Sequence, residues 1–140
     1  MTGGKIINQN DAVITMDATG NEVNISGTAA LTGKLSLSKG IMNVTGGTIN
    51  VVGNKSDNRA CKLTNEATLK ISGNAKYESE PLFCVYSGTV NIQGGSFTGN
   101  VVKGLNYGDN DKKSVEDLLT SDYQLCGPDS NGWYQVVPTA

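Results

Sequence analysis

Five segments of this chain repeat one short pattern: two apolar residues two positions apart, then a polar residue, then glycine. The complete copies are Val23-Asn-Ile25-Ser-Gly27, Met42-Asn-Val44-Thr-Gly46, Leu69-Lys-Ile71-Ser-Gly73 and Val90-Asn-Ile92-Gln-Gly94, and the fifth survives as Thr2-Gly3-Gly4. The repeated glycines stand at 3, 27, 46, 73 and 94, a mean interval of about 23 residues. That period is too short for helical repeats of roughly 33 or 34 residues, and it suits one coil of a β-solenoid.

Within each copy the apolar pairs Val23/Ile25, Met42/Val44, Leu69/Ile71 and Val90/Ile92 alternate with Asn, Lys, Ser, Thr and Gln. Period two means a strand with one buried and one wet face. A helix would need apolar residues three and four apart, and each interior glycine would cost it about 1 kcal/mol. Glycine is instead in place at a sharp corner between consecutive strands, where positive φ or close backbone approach is required. The chain has 18 Gly and only 3 Pro in 140 residues, a composition of many tight turns. Gly27, Gly46, Gly73 and Gly94 are the expected structural corners, with Ile25, Val44, Ile71 and Ile92 in the core. Gly53-Asn54, Gly99-Asn100 and Gly33 mark a second corner. After each glycine the apolar position reads Ile6, Ala29, Ile49, Ala75, Phe97, an alternation of large and small side chains that predicts one stacked inward column.

Cys61, Cys84 and Cys126 form no CxxC pair and have no histidine beside them, since the chain contains none. No zinc site is expected, and an odd number argues against a disulfide framework. Apolar neighbours, as in Leu82-Phe83-Cys84-Val85, predict buried thiols. Aligning Ile71 with Ile92 sets Leu63 beside Cys84 and Cys61 beside Leu82. The two thiols then face inward on adjacent coils, offset by roughly 6.6 Å along the strand, too far for an unstrained disulfide.

The pattern stops near Val101. A polar loop, Tyr107-Gly-Asp-Asn-Asp-Lys-Lys, precedes Ser114-Val-Glu-Asp-Leu-Leu-Thr, which reads as a short helix with Ser114 as N-cap. Tyr123-Gln-Leu-Cys126 and Trp133-Tyr-Gln-Val-Val137 flank Gly-Pro-Asp-Ser-Asn-Gly, a strand-turn-strand signal. An open solenoid end needs covering, so residues 1–102 are expected to be β-helix coils. Residues 103–140, with Trp133 as their structural anchor, are expected to be the cap.

The stretch Gly88-Thr-Val-Asn-Ile-Gln-Gly-Gly-Ser-Phe-Thr-Gly-Asn100 resembles right-handed parallel β-helix repeats of large adhesin-like surface proteins of anaerobic bacteria. The tail from Val115 to Tyr123 and from Asn131 to Pro138 resembles the segment that closes such repeat blocks. The resemblance covers nearly the whole chain. It implies an all-β, right-handed single-stranded parallel β-helix of about four to five coils with a small C-terminal cap. It also implies a secreted or cell-surface setting, although the opening residues lack the charged and apolar regions of a signal peptide. Met1-Thr-Gly-Gly-Lys-Ile reads as the middle of a repeat, so the chain is expected to be a fragment of something larger.

The same architecture carries pectin lyases and galacturonases, so chemistry must be sought residue by residue. The outward columns are Asn24, Asn43, Lys70, Asn91 and Ser26, Thr45, Ser72, Gln93, and neither holds a carboxylate. Asp57, Glu78 and Glu80 fall in loops without an arranged basic partner, whereas paired-carboxylate hydrolysis needs two acids about 5 to 9.5 Å apart. No catalytic, metal or cofactor site is therefore expected. Lys plus Arg is 11 against Asp plus Glu at 13, a net charge of -2, which lacks the basic excess of a nucleic-acid binder. No apolar run is long enough for membrane insertion. The asparagines are expected to form a ladder along the coils. Tyr77, Tyr86 and Tyr107 are the candidate glycan contacts. The reading is a non-enzymatic structural or adhesive module meeting a host or environmental glycan or surface protein, with weak end-to-end self-association. Its alternative is a carbohydrate-active or carbohydrate-binding β-helix of the polysaccharide-lyase or phage-tailspike kind.

Overall fold

The computed structural model describes residues 1–51, 61–78, 83–85, 88–98, 101–103 and 112–139, without the side chains of 8–13, 61, 62, 65, 83–85, 101–103 and 112–114. The chain is all-β. Among the described residues, thirteen strands join one largely parallel sheet. They are β1 (Lys5–Met16), β2 (Glu22–Ile25), β3 (Ala30–Val44), β4 (Thr48–Val51), β5 (Cys61–Ile71), β6 (Lys76–Glu78), β7 (Phe83–Val85), β8 (Thr89–Ile92), β9 (Ser96–Phe97), β10 (Val101–Lys103), β11 (Lys112–Ser114), β12 (Tyr123–Cys126) and β13 (Tyr134–Pro138). A 3-10 helix, Val115–Leu118, follows β11.

Parallel neighbours cannot be joined by a tight hairpin and need a crossover of a dozen or more residues. Here the crossover of each parallel ladder consists of the strands of the others. β3 passes through three ladders in turn: its start pairs with β1 and β4, its middle with β1 and β5, and its end with β2 and β5. In the third of these ladders the backbone rows are Val23–Met42–Leu69–Val90 and Ile25–Val44–Ile71–Ile92. These are the columns read from the repeat. Met42, Val44, Leu69 and Ile71 are at most 1% exposed, so the alternation in sequence becomes an apolar interior. No polar or charged side chain is buried among the described residues, which spares the core unpaired polar groups.

The ladder that starts with residues 5–7 corrects the expected alternation. Its row is Ile6–Leu31–Ile49–Tyr77–Phe97, with large side chains throughout. Ala29 and Ala75 belong to the corner instead. Successive backbone bonds across that corner are accepted by Gly4, Ala29, Gly47 and Ala75, a row that Gly95 continues. The apparent alternation of side-chain size is an alternation of turn length. Ile25 to Leu31 and Ile71 to Tyr77 are six positions apart; Val44 to Ile49 and Ile92 to Phe97 are five. The extra residue in the longer turns is taken up in four-residue turns, closed by Ala29 N–H donating to Ser26 O and Ala75 N–H to Ser72 O.

The four corner glycines split into two roles. Gly27 and Gly73 adopt φ of +63° and +62°. Gly46 and Gly94 are buried, and a Cβ on either would come within 3.0 and 2.8 Å of the backbone nitrogens of Gly27 and Gly73. Gly33 lies inside β3, opposite Val51, where the strand passes from one ladder to the next. Gly53-Asn54 and Gly99-Asn100 lie outside the described residues.

The cysteine alignment also shifts. Cys84 pairs with Lys62, and Leu63 with Val85, one residue away from the expected match. Leu63 to Leu69 spans one position more than Val85 to Val90, so aligning Ile71 with Ile92 does not carry back across the bend. The Cys61 and Cys84 side chains lie outside the described residues. Cys126 is exposed, contrary to the expected buried thiol, because it sits in a hairpin strand with no layer covering it.

Past residue 100 the pairing changes direction. β10 still runs parallel to β7, but β11 pairs antiparallel with β10, so Lys112 and Lys113 belong to a strand rather than to the expected loop. Ser114 ends that strand, and the expected helix is the single 3-10 turn. β12 and β13 form the expected hairpin, and β13 pairs antiparallel with β9. The hairpin and 3-10 turn enter the core through Val136 and Val115. Trp133 is half-buried and lies outside that core, which corrects its expected role as anchor.

The corner packing gives a first test. Gly47 has φ +79°, and a Cβ there would run into the Ala29 carbonyl, whereas Gly20 has φ +88° with nothing within 4 Å. Gly20→Ala should cost only the left-handed penalty of about 1 to 2 kcal/mol. Gly47→Ala adds displacement of a paired backbone and should unfold at clearly lower urea, so equal midpoints would contradict this packing. A second test removes the antiparallel end strands. A chain ending at Val102 should aggregate, because the edges of β9 and β10 become unpaired. A monomer with unchanged melting temperature would contradict that role.

Candidate functional site

The outward face of the ladder containing β2 and β8 follows from the same period of two. With Val23, Ile25 and their row partners turned inward, Asn24, Asn43, Lys70 and Asn91 occupy one outward row. The asparagine ladder exists at its first step. Asn43 Nδ2 donates to Asn24 Oδ1 at 2.9 Å and to Glu22 Oε1 at 3.0 Å. Lys70 then interrupts the row with a side chain that has no acceptor to pass the bonding on.

Beside that interruption is a groove of about 210 Å³. One wall is Asn43, Lys70 and Asn91; the other is Thr45, Ser72 and Gln93. Its groups are amides, hydroxyls and one ammonium, which can hydrogen-bond a polyhydroxylated or anionic ligand. It contains no carboxylate to serve as acid or base. Among the described residues no group of three His, Cys, Asp or Glu stands together as a metal site, and no helix is long and apolar enough to cross a membrane.

The candidate glycan tyrosines do not meet in this groove. Tyr77 is 1% exposed, in the inward row beside Phe97, with ring centroids 6.2 Å apart at 42°. Its ring is packing surface, not a sugar platform. The sequence reading gives that place in the row to Ala75 and leaves Tyr77 outside the inward columns, because it aligns the residues after each glycine without the longer turn. Tyr86 and Tyr107 lie outside the described residues, as do Asp57 and Glu80; Glu78 closes β6, opposite Asn50.

A second concavity, also about 210 Å³, lies where β13 meets β9 and includes Trp133, Tyr134, Gln135 and Asp129. Sequence reasoning places Trp133 and Tyr134 in the terminal cap and expects one of the pair to pack on the last coil near Phe97. The usable signal was the adjacent pair of amphipathic aromatics beside a Gly/Pro/Asp/Asn turn.

No family model, curated protein or solved structure matches this chain.

The ladder bond yields a prediction. Asn43→Ala should lower stability by about 1 kcal/mol, the worth of a typical net hydrogen bond. Asn91→Ala in the same row should stay within about 0.5 kcal/mol, as surface changes usually do. Chemical denaturation of the two variants compares them directly, and equal losses would contradict a localised ladder.

Proposed function

We propose that the chain is a non-enzymatic structural and adhesive module of a bacterial cell-surface protein, built as a right-handed single-stranded parallel β-helix closed by its C-terminal hairpin. The observation that carries the reading is the contrast between the two faces of its ladders. Among the described residues inward rows are apolar, and the outward rows Asn24–Asn43–Lys70–Asn91 and Thr45–Ser72–Gln93 carry amides, hydroxyls and one lysine without a carboxylate. Such a rod transmits its rigidity along the stacking direction, since each repeat is bonded to the next by its backbone. It presents a polar, hydrogen-bonding flank to glycans or to a surface protein.

The resemblance of the repeats and tail to adhesin-like surface proteins supports a secreted or surface setting. Self-association belongs to the same reading. At the N-terminal edge Ile6 is 46% exposed, at the start of a row whose other members are buried. The groove around Lys70 favours a second reading, a carbohydrate-active or carbohydrate-binding β-helix such as a tailspike, with the ammonium meeting an acidic sugar.

Incubation with polygalacturonate and with neutral polysaccharides separates the two. The structural reading expects no new reducing ends and no unsaturated products over a day. Depolymerisation abolished by Lys70→Ala would establish the enzyme instead. Immunolabelling of intact cells is expected to find the module outside, and signal only after permeabilisation would reject the surface setting.

A further inference from the structure

The concavity beside the terminal hairpin has no part in the rod. Three strands bring its walls together: Cys126 of β12 pairs with Gln135 of β13, and Gln135 pairs with Ser96 of β9. The turn between the hairpin strands supplies Asp129, and Trp133 and Tyr134 complete the lining.

This turn is held by its own hydrogen bonds. Asp129 Oδ1 accepts from the N–H groups of Asn131 and Trp133, both at 2.9 Å. The Asp129 N–H donates to the Trp133 carbonyl at 2.9 Å, and the Gly132 N–H to the Asp129 carbonyl at 3.1 Å. Gly127, at φ +121°, lies so close that a Cβ would come within 2.8 Å of the Trp133 carbonyl oxygen. The pocket is therefore formed before any ligand arrives, which lowers the ordering cost of binding.

Its aromatics differ from those of the interior. Tyr77 and Phe97 are fully buried, while Trp133 and Tyr134 are half-buried and stand outside the core. Ring surface kept at the boundary beside an amide, a hydroxyl and a carboxylate suits a ligand with one apolar face and a rim of hydroxyls. A volume of about 210 Å³ lies below the roughly 300 Å³ of drug-sized sites and fits one ring. The Asp129 carboxylate opposes a second negative charge there.

We propose that this pocket binds one neutral pyranose, a terminal or branching unit of a glycan, with its C–H face on Trp133 and its hydroxyls bonded to Gln135 and Asp129. The proposal rests on the reading of the chain as a surface module that meets glycans. It moves the contact from the expected tyrosines to the hairpin.

The full chain tests it with two internal reporters. Trp133 is the only tryptophan, and the exposed Cys126 thiol lines the same pocket. Methyl β-glucopyranoside, methyl β-galactopyranoside and N-acetylglucosamine are titrated, with galacturonate and tetramethylammonium as charged controls. At least one neutral sugar should shift tryptophan emission with a Kd of about 1 mM, and should slow alkylation of the Cys126 peptide by iodoacetamide. Galacturonate should do neither until Asp129 is changed to Asn. Trp133→Ala should abolish the protection, and Gln135→Ala should weaken it about tenfold. The Gln135→Ala arm stands by itself if Trp133→Ala fails to fold. No response to any neutral sugar overturns the proposal, as does protection surviving in both variants, or a response to tetramethylammonium alone. Retention on immobilised glycan that ignores Trp133 and Gln135 also overturns it, while leaving the glycan-contacting module intact. No retention on any glycan removes both.

Discussion

Parallel backbone pairing between equivalent segments one repeat apart is the constraint on which the rest of this structure depends. Each parallel pair joins residues 18 to 28 positions apart in sequence, so a ladder forms only once the intervening strands are placed. Once they are, inward side chains fall into rows, and a row must be apolar along its whole length because its members share one interior. The absence of buried polar side chains among the described residues follows from that sharing. The corner obeys the same rule in a harsher form. At Gly47 a Cβ would run into the Ala29 carbonyl, and at Gly95 it would come within 3.2 Å of the Ala75 carbonyl oxygen.

The pairing rule fixes position in space without fixing residue number. Turns of two different lengths alternate along the corner, yet the rows on either side keep their register. The additional residue is absorbed by a local turn, as bulges absorb extra residues elsewhere in sheets. This tolerance gives the repeat intervals their irregularity.

Parallel stacking leaves unpaired edges at both ends. Beyond β9 and β10 the chain reverses, and β13 and β11 occupy the edges of those two strands in antiparallel fashion. The reversal brings a second kind of surface into being. The outward face of the ladder offers rows of amides and hydroxyls, whereas the hairpin pairing with β9 creates a concave junction lined by Trp133 and Tyr134.

The all-β class, the ladder row of Ile25, Val44, Ile71 and Ile92, the asparagine step and the terminal hairpin were legible in the residues alone. Period two and recurrent glycine are local signals, and they need no knowledge of what packs against them. Tyr77, Ala29, Ala75, Cys84 and Trp133 were misplaced by the same reading. Tyr77 and Ala29 depend on how many residues a turn consumes, and Cys84 on a one-residue difference across a bend. Trp133 depends on where a hairpin meets a distant strand. A one-residue shift exchanges the inward and outward faces of a strand, so these assignments belong to the tertiary structure. The pattern determined that this chain forms strands and which residues of each repeat prefer the interior. Only the folded backbone, by setting turn lengths and joining residues far apart in sequence, decided which side chains share a row and which rings line a pocket.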